Sequence, residues 1–371
     1  MILSNSILKQ LFELLKSALW KTFPNGELFK DNSDTDWEEI IQLSTEQGVM
    51  AIAYDGMLHL PVELQPSRKI KLAWALKVDA IEKRYANQLK TAEELAELFY
   101  SNNISMLLFK GIALARDYPI PEHREFGDLD IYLFNKHEQG DNTLSFHGGI
   151  KKNKFHFKHT SFFYKGISVE NHMHLLATHI YPNFLPLEEK LLIELSKDYD
   201  KIEISCKEDK ILFPSPEFHA LFLITHIIAH FSLSIALRSL CDWAIFLYKN
   251  KNKVDFKSLR QSLSEAGILP LADAITALTV RYLNLPLESA PFFEENLLLE
   301  DSILEDSLNL FFFLKNSSNP SYGEIIAYKC KRLKYKHQKY KLINPYKSHY
   351  KTLESILYHI RYPHTIFKLK K

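Results

Sequence analysis

Between Leu107 and Leu133 the chain reads LLFKGIALARDYPIPEHREFGDLDIYL, two short apolar runs joined by a segment with two prolines. The first run ends in Lys110 and Gly111, and the second opens with Asp128 and Asp130. Both runs have strand length and are bounded by turn residues. Successive side chains of a strand face opposite ways, so Asp128 and Asp130 share one face while Leu129 and Ile131 anchor the other in a core. Glu170 follows the apolar stretch FFYKGISV, in a position to reach the same place from a neighbouring strand.

Carboxylates held side by side at a strand start can share a hard divalent cation, and Mg²⁺ is commonly held by one or two carboxylates plus substrate phosphates. A nucleoside triphosphate therefore suits this pattern. An Asp-x-Asp triplet alone is weak, and the chain has two others, Asp34 with Asp36 and Asp198 with Asp200. In the first, Asp36 followed by Glu39 reads as a capping box opening the helix WEEIIQLSTEQ. The second sits in a charged stretch with no strand pattern after it. Only Asp128 and Asp130 combine a following IYLF, a preceding turn-rich loop and an upstream Lys-Gly.

These residues resemble the bacterial family of uncharacterised nucleotidyltransferases, a branch of the DNA-polymerase-beta-like nucleotidyltransferase superfamily. The family pattern is an apolar strand ending in Lys-Gly, an Arg before Gly-Asp-(aliphatic)-Asp, and a Glu-x-His after the next hairpin. The matching residues are Lys110, Gly111, Arg124, Gly127, Asp128, Leu129 and Asp130, then Glu170, Asn171 and His172. WEEIIQLSTEQGVMAIAYDGM resembles the family's N-terminal helical segment, and THIIAHFSLSIALRSLCDWAIFL its downstream helices. Two departures stand out: superfamily members often carry Gly-Ser or Gly-Gly in place of Lys110 and Gly111, and the connection NKHEQGDNTLSFHGGIKKNK is short and polar where members have a fuller helix.

The resemblance implies transfer of a nucleoside monophosphate from a triphosphate to an unidentified acceptor, a small molecule, a glycan or lipid precursor, or a protein. It implies Asp128 and Asp130 as holders of nucleotide-bound Mg²⁺ or Mn²⁺, with Glu170 at a second ion or serving as general base. Lys110 would meet the triphosphate as a point charge and Arg124 as a bidentate fork. Gly111 would let the backbone turn into a helix beginning at Ile112 whose amides face an anion. Gly127 belongs to the nucleotide-binding set, and His172 braces the metal ligands from behind.

Composition, 46% hydrophobic and 25% charged over 371 residues, is that of a soluble globular protein. Cys206, Cys241 and Cys330 are far apart and lack zinc or redox spacing, which points to buried thiols in a reducing compartment. MILSNSILKQLFELLKSALW has amphipathic-helix spacing and no cleavage site, so a first helix rather than a signal peptide is expected. Phe218 to Leu237 lacks Asp, Glu, Lys and Arg but contains His219, His226 and His230, so one buried helix or two abutting helices is expected, and no transmembrane segment. His226 and His230 share a helical face, yet Ile227 stands where a zinc protease needs Glu; packing or hydrogen bonding inside a helical domain is the reading, with lining of an acceptor pocket as the alternative. Arg238 and Asp242, one turn apart, read as a local ion pair. His156, His159, His172, His174 and His179 form a looser set around the hairpin, of which His172 alone matches the family pattern.

The expected fold is α+β: a small mixed sheet forming the nucleotidyltransferase-like core (86–210), flanked by an N-terminal helical region (1–85) and a C-terminal helical domain with a basic tail (211–371). Helices are expected over IKLAWALKVDAIEKR and, separately, ANQLKTAEELAELFYS. Strands are expected at ISMLLF and DLDIYLF, and on either side of a Lys165-Gly166 turn.

Residues 329–371 carry thirteen Lys and Arg against one acid, Glu354. The tail is thus near +12 and the remainder near −11, within a formal net charge of +1. Tyrosines interleaved with cations in KCKRLKYKHQKYK suit an anionic partner, RNA, an anionic lipid surface or a charged glycan precursor. The expected setting is the cytoplasm, with the membrane periphery open to it through this tail. Besides an active transferase, a catalytically silent nucleotide-binding member and an RNA-binding module remain as alternatives.

Overall fold

A computed structural model describes residues 6–152, 157–198, 211–231 and 235–309, with short stretches between 330 and 361. The first helices are α1 (Ser6–Trp20), α2 (Asp34–Glu46) and α3 (Met50–Leu58). The box that opens α2 lies one turn earlier than expected: Ser33 is the N-cap, its side chain accepting from the Asp36 amide while Asp36 takes the Ser33 amide. Asp34 and Asp36 are thus used up at a helix start. At the crossing of α1 and α3, a Cβ on Gly56 would lie 2.0 Å from the Leu14 carbonyl oxygen, so glycine lets the two backbones touch.

The two helices expected around residue 85 are a single helix, α4 (Arg68–Ser101). Nothing between Ile81 and Tyr85 breaks a helix, so the backbone runs on while its buried side changes company. Ile70, Trp74, Val78 and Ile81 pack into a large core with the other helices. Tyr85, Ala92, Leu95 and Phe99 pack behind the sheet. A boundary visible in packing is therefore absent from the backbone.

The sheet has six strands in the order β3-β4-β5-β2-β1-β6. They are β1 (Met106–Phe109), β2 (Asp128–Tyr132), β3 (Ile150–Lys151), β4 (His159–Tyr164), β5 (Ile167–His172) and β6 (Ile211–Leu212). β1 and β2 are antiparallel, β2 and β5 parallel, and the β4–β5 hairpin turns at Lys165 and Gly166, both with positive φ. Alternation divides the sheet as expected: Leu108, Leu129, Ile131 and Val169 face the core behind, while Leu107, Phe109 and Tyr132 join the helical core in front. The architecture is α+β.

After β1 comes a one-turn helix, α5 (Gly111–Ala115). The polar connection after β2 contains a helix of its own, α6 (His137–Phe146). It was hidden because only Gly140 and Leu144 of it are buried, too few for an apolar stripe. α7 (Leu185–Asp198) leads to the C-terminal helices α8 (Pro216–His230), α9 (Leu237–Asn250), α10 (Phe256–Glu265), α11 (Leu269–Leu283) and α12 (Leu297–Asn309). The apolar stretch from Phe218 is thus two helices, and no helix among the described residues is long and apolar enough to cross a membrane. Asp200, Cys206, His156 and most of the basic tail lie outside the described residues. Cys241 is buried as expected, whereas Cys330 is exposed.

Candidate active site

Register brings the acids together. In the parallel pairing of β2 with β5, Asp128 lies opposite Ser168 and Asp130 opposite Glu170. Asp128, Asp130, Glu170 and His172 therefore line one face of two adjacent strands. β1 delivers Lys110 to the same place, and its Nζ lies 2.5 Å from Asp130 Oδ1. His172 Nε2 approaches the same oxygen at 2.9 Å and Glu170 Oε2 at 3.6 Å. Phe109 walls the far side, its ring edge-on to His172 with centroids 5.0 Å apart.

The electrostatics differ sharply within the cluster. Burial and the adjoining Asp130 push Asp128 up to about 6. Asp130 is more deeply buried, yet the Lys110 ammonium and the His172 hydrogen bond hold its carboxyl well below the usual range. Burial also opposes the charge of Glu170, but the hydrogen bond from His172 and the nearby His159 keep it low. Asp128 has no hydrogen-bond partner among the described residues, although it is crowded by two other carboxylates. Oxygen donors packed against one another, with a half-buried carboxylate lacking a partner, fit a hard divalent cation, which would remove that repulsion.

The Lys-Gly corner is tight. Lys110 has φ 60° and ψ −142°, and Gly111 has φ 23° with its missing Cβ position only 3.1 Å from the Phe126 ring. The following α5 has five residues, one residue earlier in start than expected and too short to offer the anion site foreseen from its amides. A Cβ on Gly127 would meet nothing within 4 Å, so the approach to Asp128 is open.

Arg124 is elsewhere. It is 5% exposed and donates from Nε and Nη2 to the two oxygens of Asp242 on α9, at 3.0 and 2.7 Å. Tyr118 donates to the same carboxylate at 2.7 Å. The fork foreseen for phosphate is thus spent inside the protein, because α9 presents a buried carboxylate that needs it. Nor is Asp242 paired with Arg238, whose Nη1 instead donates to the Glu125 carbonyl. Together these bonds tie α9 to the 118–125 loop that leads into Gly127 and Asp128.

Two neighbours were given no role in the sequence reading. His159 stands opposite His172 in the hairpin, their rings stacked 5.0 Å apart, and its Nδ1 is 3.1 Å from Glu170 Oε2. Counting back from the Lys165-Gly166 turn would have found it. Lys158 has no motif at all; burial and the like charge of Lys110 push it down to about 8, with Asp130 and Glu170 acting the other way. His226 closes the cluster from α8, stacked on Phe222, and burial with the nearby Lys110 keeps it neutral well below its ordinary value. Its neighbour His230 packs on it at 4.5 Å. His174 and His179 turn outward, toward Glu188 and Phe157.

The candidate site is thus a mixed sheet carrying three acids, a Lys-Gly corner and a helical brace. The family model described as "Uncharacterised nucleotidyltransferase" matches residues 33–284, and the chain belongs to that family. No curated protein and no solved structure matches significantly.

Proposed function

We propose that the protein transfers a nucleoside monophosphate from a triphosphate to an acceptor nucleophile, releasing pyrophosphate. The observation that carries this reading is the register pairing of Asp130 with Glu170 beside Asp128, which gathers three carboxylates on one face. Asp128 and Asp130 would hold the nucleotide-bound Mg²⁺ or Mn²⁺, and Glu170 with one of them a second ion. When bound, the first would supply charge to the triphosphate oxygens and the second would lower the pKa of the acceptor hydroxyl.

The chain's own groups do the rest. Lys110 and Lys158 supply positive charge where the phosphates would lie, and Lys158, near 8, stays mostly protonated at neutral pH. Gly127 keeps the entry clear of side chains. Glu170, held anionic between His159 and His172, is better suited to gripping a cation than to taking a proton. The Arg124–Asp242–Tyr118 bonds fix the loop that aims Asp128, a positioning role in place of phosphate binding. The setting that goes with this reading is the cytoplasm, where nucleoside triphosphates are abundant.

One observation favours a silent, nucleotide-binding member instead: the Lys110 ammonium already neutralises Asp130. The experiment that separates the two is incubation with each labelled triphosphate, Mg²⁺ and cell extract, in wild type and in the Asp128→Asn/Asp130→Asn double variant. Label transferred by wild type and abolished in the variant is expected. Label equal in both, or absent from both, removes the assignment.

A further inference from the structure

We propose that His159, Glu170 and His172 are the ligand set of a first-row transition-metal ion, Zn²⁺ by donor type, adjoining the oxygen-only position at Asp128 and Asp130. Their donor atoms lie within 4.8 Å of one another. Two of the separations, 3.1 Å from His159 Nδ1 and 3.6 Å from His172 Nε2 to Glu170 Oε2, are close to the ~3.4 Å that ligands ~2.1 Å from a tetrahedral ion keep between them. All three residues come from one hairpin whose register puts His159 across from His172, so two rigid strands fix the spacing.

The hydrogen bonding of His172 singles out its Nε2 as the metal-facing atom. Nδ1 lies 3.1 Å from the His174 carbonyl oxygen, an acceptor, so Nδ1 carries a hydrogen and donates. Nε2 then faces Asp130 Oδ1 at 2.9 Å and Glu170 Oε2 at 3.6 Å. A nitrogen lone pair aimed at two carboxylates is repulsive unless a cation, proton or metal, stands between them. An imidazole whose second nitrogen is fixed by a backbone carbonyl is also the usual arrangement of a metal-ligating histidine. The Phe109 edge holds the ring in that pose.

Donor type selects the ion. Imidazole nitrogen suits Zn²⁺ and its neighbours, whereas Mg²⁺ prefers carboxylate, phosphate and water oxygens. Two imidazoles and one carboxylate make a three-ligand set with an open position, the composition of catalytic zinc sites. Only the ion's role rests on the nucleotidyl-transfer reading: beside Lys110 and Lys158 it would serve the acceptor, as the second of two unlike cations. Its binding needs no reaction to be seen.

Titration of the purified full chain with Co²⁺, without nucleotide, tests the site. One Co²⁺ per chain is expected, with visible ligand-field bands that Zn²⁺ abolishes. His159→Ala should weaken binding by more than about 100-fold, beyond the 10–100-fold that loss of a merely supporting residue costs. A smaller loss overturns the proposal. X-ray absorption of the Zn²⁺-loaded wild type avoids any folding defect of the variant: two imidazoles in the shell support the site, and an oxygen-only shell overturns it. Metal binding as expected without nucleotidyl transfer would sink the enzyme reading and leave the metal site standing. Transfer with Mg²⁺ and an oxygen-only shell would do the reverse.

Discussion

Lys110 occupies a backbone conformation, φ 60° and ψ −142°, bordering the region that only glycine enters freely, where side chains cost about 1–3 kcal/mol. Glycine would enter that conformation freely, so this chain accepts strain to keep an ammonium 2.5 Å from Asp130. Both Lys110→Gly and Lys110→Ala remove the charge, but glycine also relaxes the backbone. We expect the Gly variant to be about 1–3 kcal/mol more stable than the Ala variant in urea unfolding, and both to lose transfer; an Ala variant equal to Gly would contradict the strain. Arg124 and Asp242 form a buried pair, 5% and 4% exposed. Arg124→Met should destabilise by about 3–5 kcal/mol, since it leaves a buried carboxylate with only the Tyr118 hydrogen bond and the unbonded charge of Arg238. A variant of normal stability that merely binds nucleotide poorly would return Arg124 to the phosphate role. His123 bridges Asp55 and Glu82 at 2.8 and 2.9 Å. Burial works against its charge, but the two acids raise its pKa above the ordinary 6.5. Its contribution to stability is therefore full below that value and fades as pH rises through the raised folded value. Denaturation midpoints measured from pH 5.5 to 9 should show this fall in wild type and not in His123→Gln; parallel curves would exclude the linkage.

At the level of elements, close contacts decide what the helices can do. The α1–α3 crossing leaves no space at Gly56, whose Cβ position is 2.0 Å from backbone rather than from a movable side chain. Gly56→Ala must push the helices apart, and a loss of about 1–3 kcal/mol is expected from overpacking, read as a lowered melting temperature. An unchanged melting point would mean that the crossing is looser than it stands here. The hairpin shows how local chemistry sets distant geometry. The two residues with positive φ at Lys165 and Gly166 fix the pairing through to His159 and His172, six rungs away. The strands β1, β2, β4 and β5 were legible from alternation and turn residues, and so was the face shared by Asp128 and Asp130. α6 was not, because its buried side is a glycine and one leucine. The continuity of α4 was missed for a different reason: its buried positions keep one helical phase from Ile70 to Phe99, but the core they face changes and the polar Gln88 and Thr91 interrupt the apolar stripe.

For the molecule as a whole, charge is divided rather than balanced, near +12 over residues 329–371 and near −11 elsewhere. An anionic partner gripped by that tail should be released by salt, with log affinity falling linearly against log salt concentration. Fluorescence anisotropy of labelled single-stranded RNA, with anionic vesicles as the competing arm, measures this in the full chain. Replacing Lys331, Lys334 and Lys336 by Gln should shallow the slope, and a slope indifferent to those changes would take the tail out of binding. The sequence alone determined whatever depends on neighbours a few positions apart: strand alternation, the Lys-Gly corner, the turn, and an acid pair on one face. Tertiary structure alone decided what depends on residues far apart in the chain. Arg124 was claimed by Asp242, 118 positions away, and His172 met Asp130 across 42. Lys158 was pushed down to about 8 by burial and by the like charge of Lys110. The physical reason is that periodicity and turn chemistry act within a few residues, whereas pairing a buried charge is settled only by whichever element packs against it.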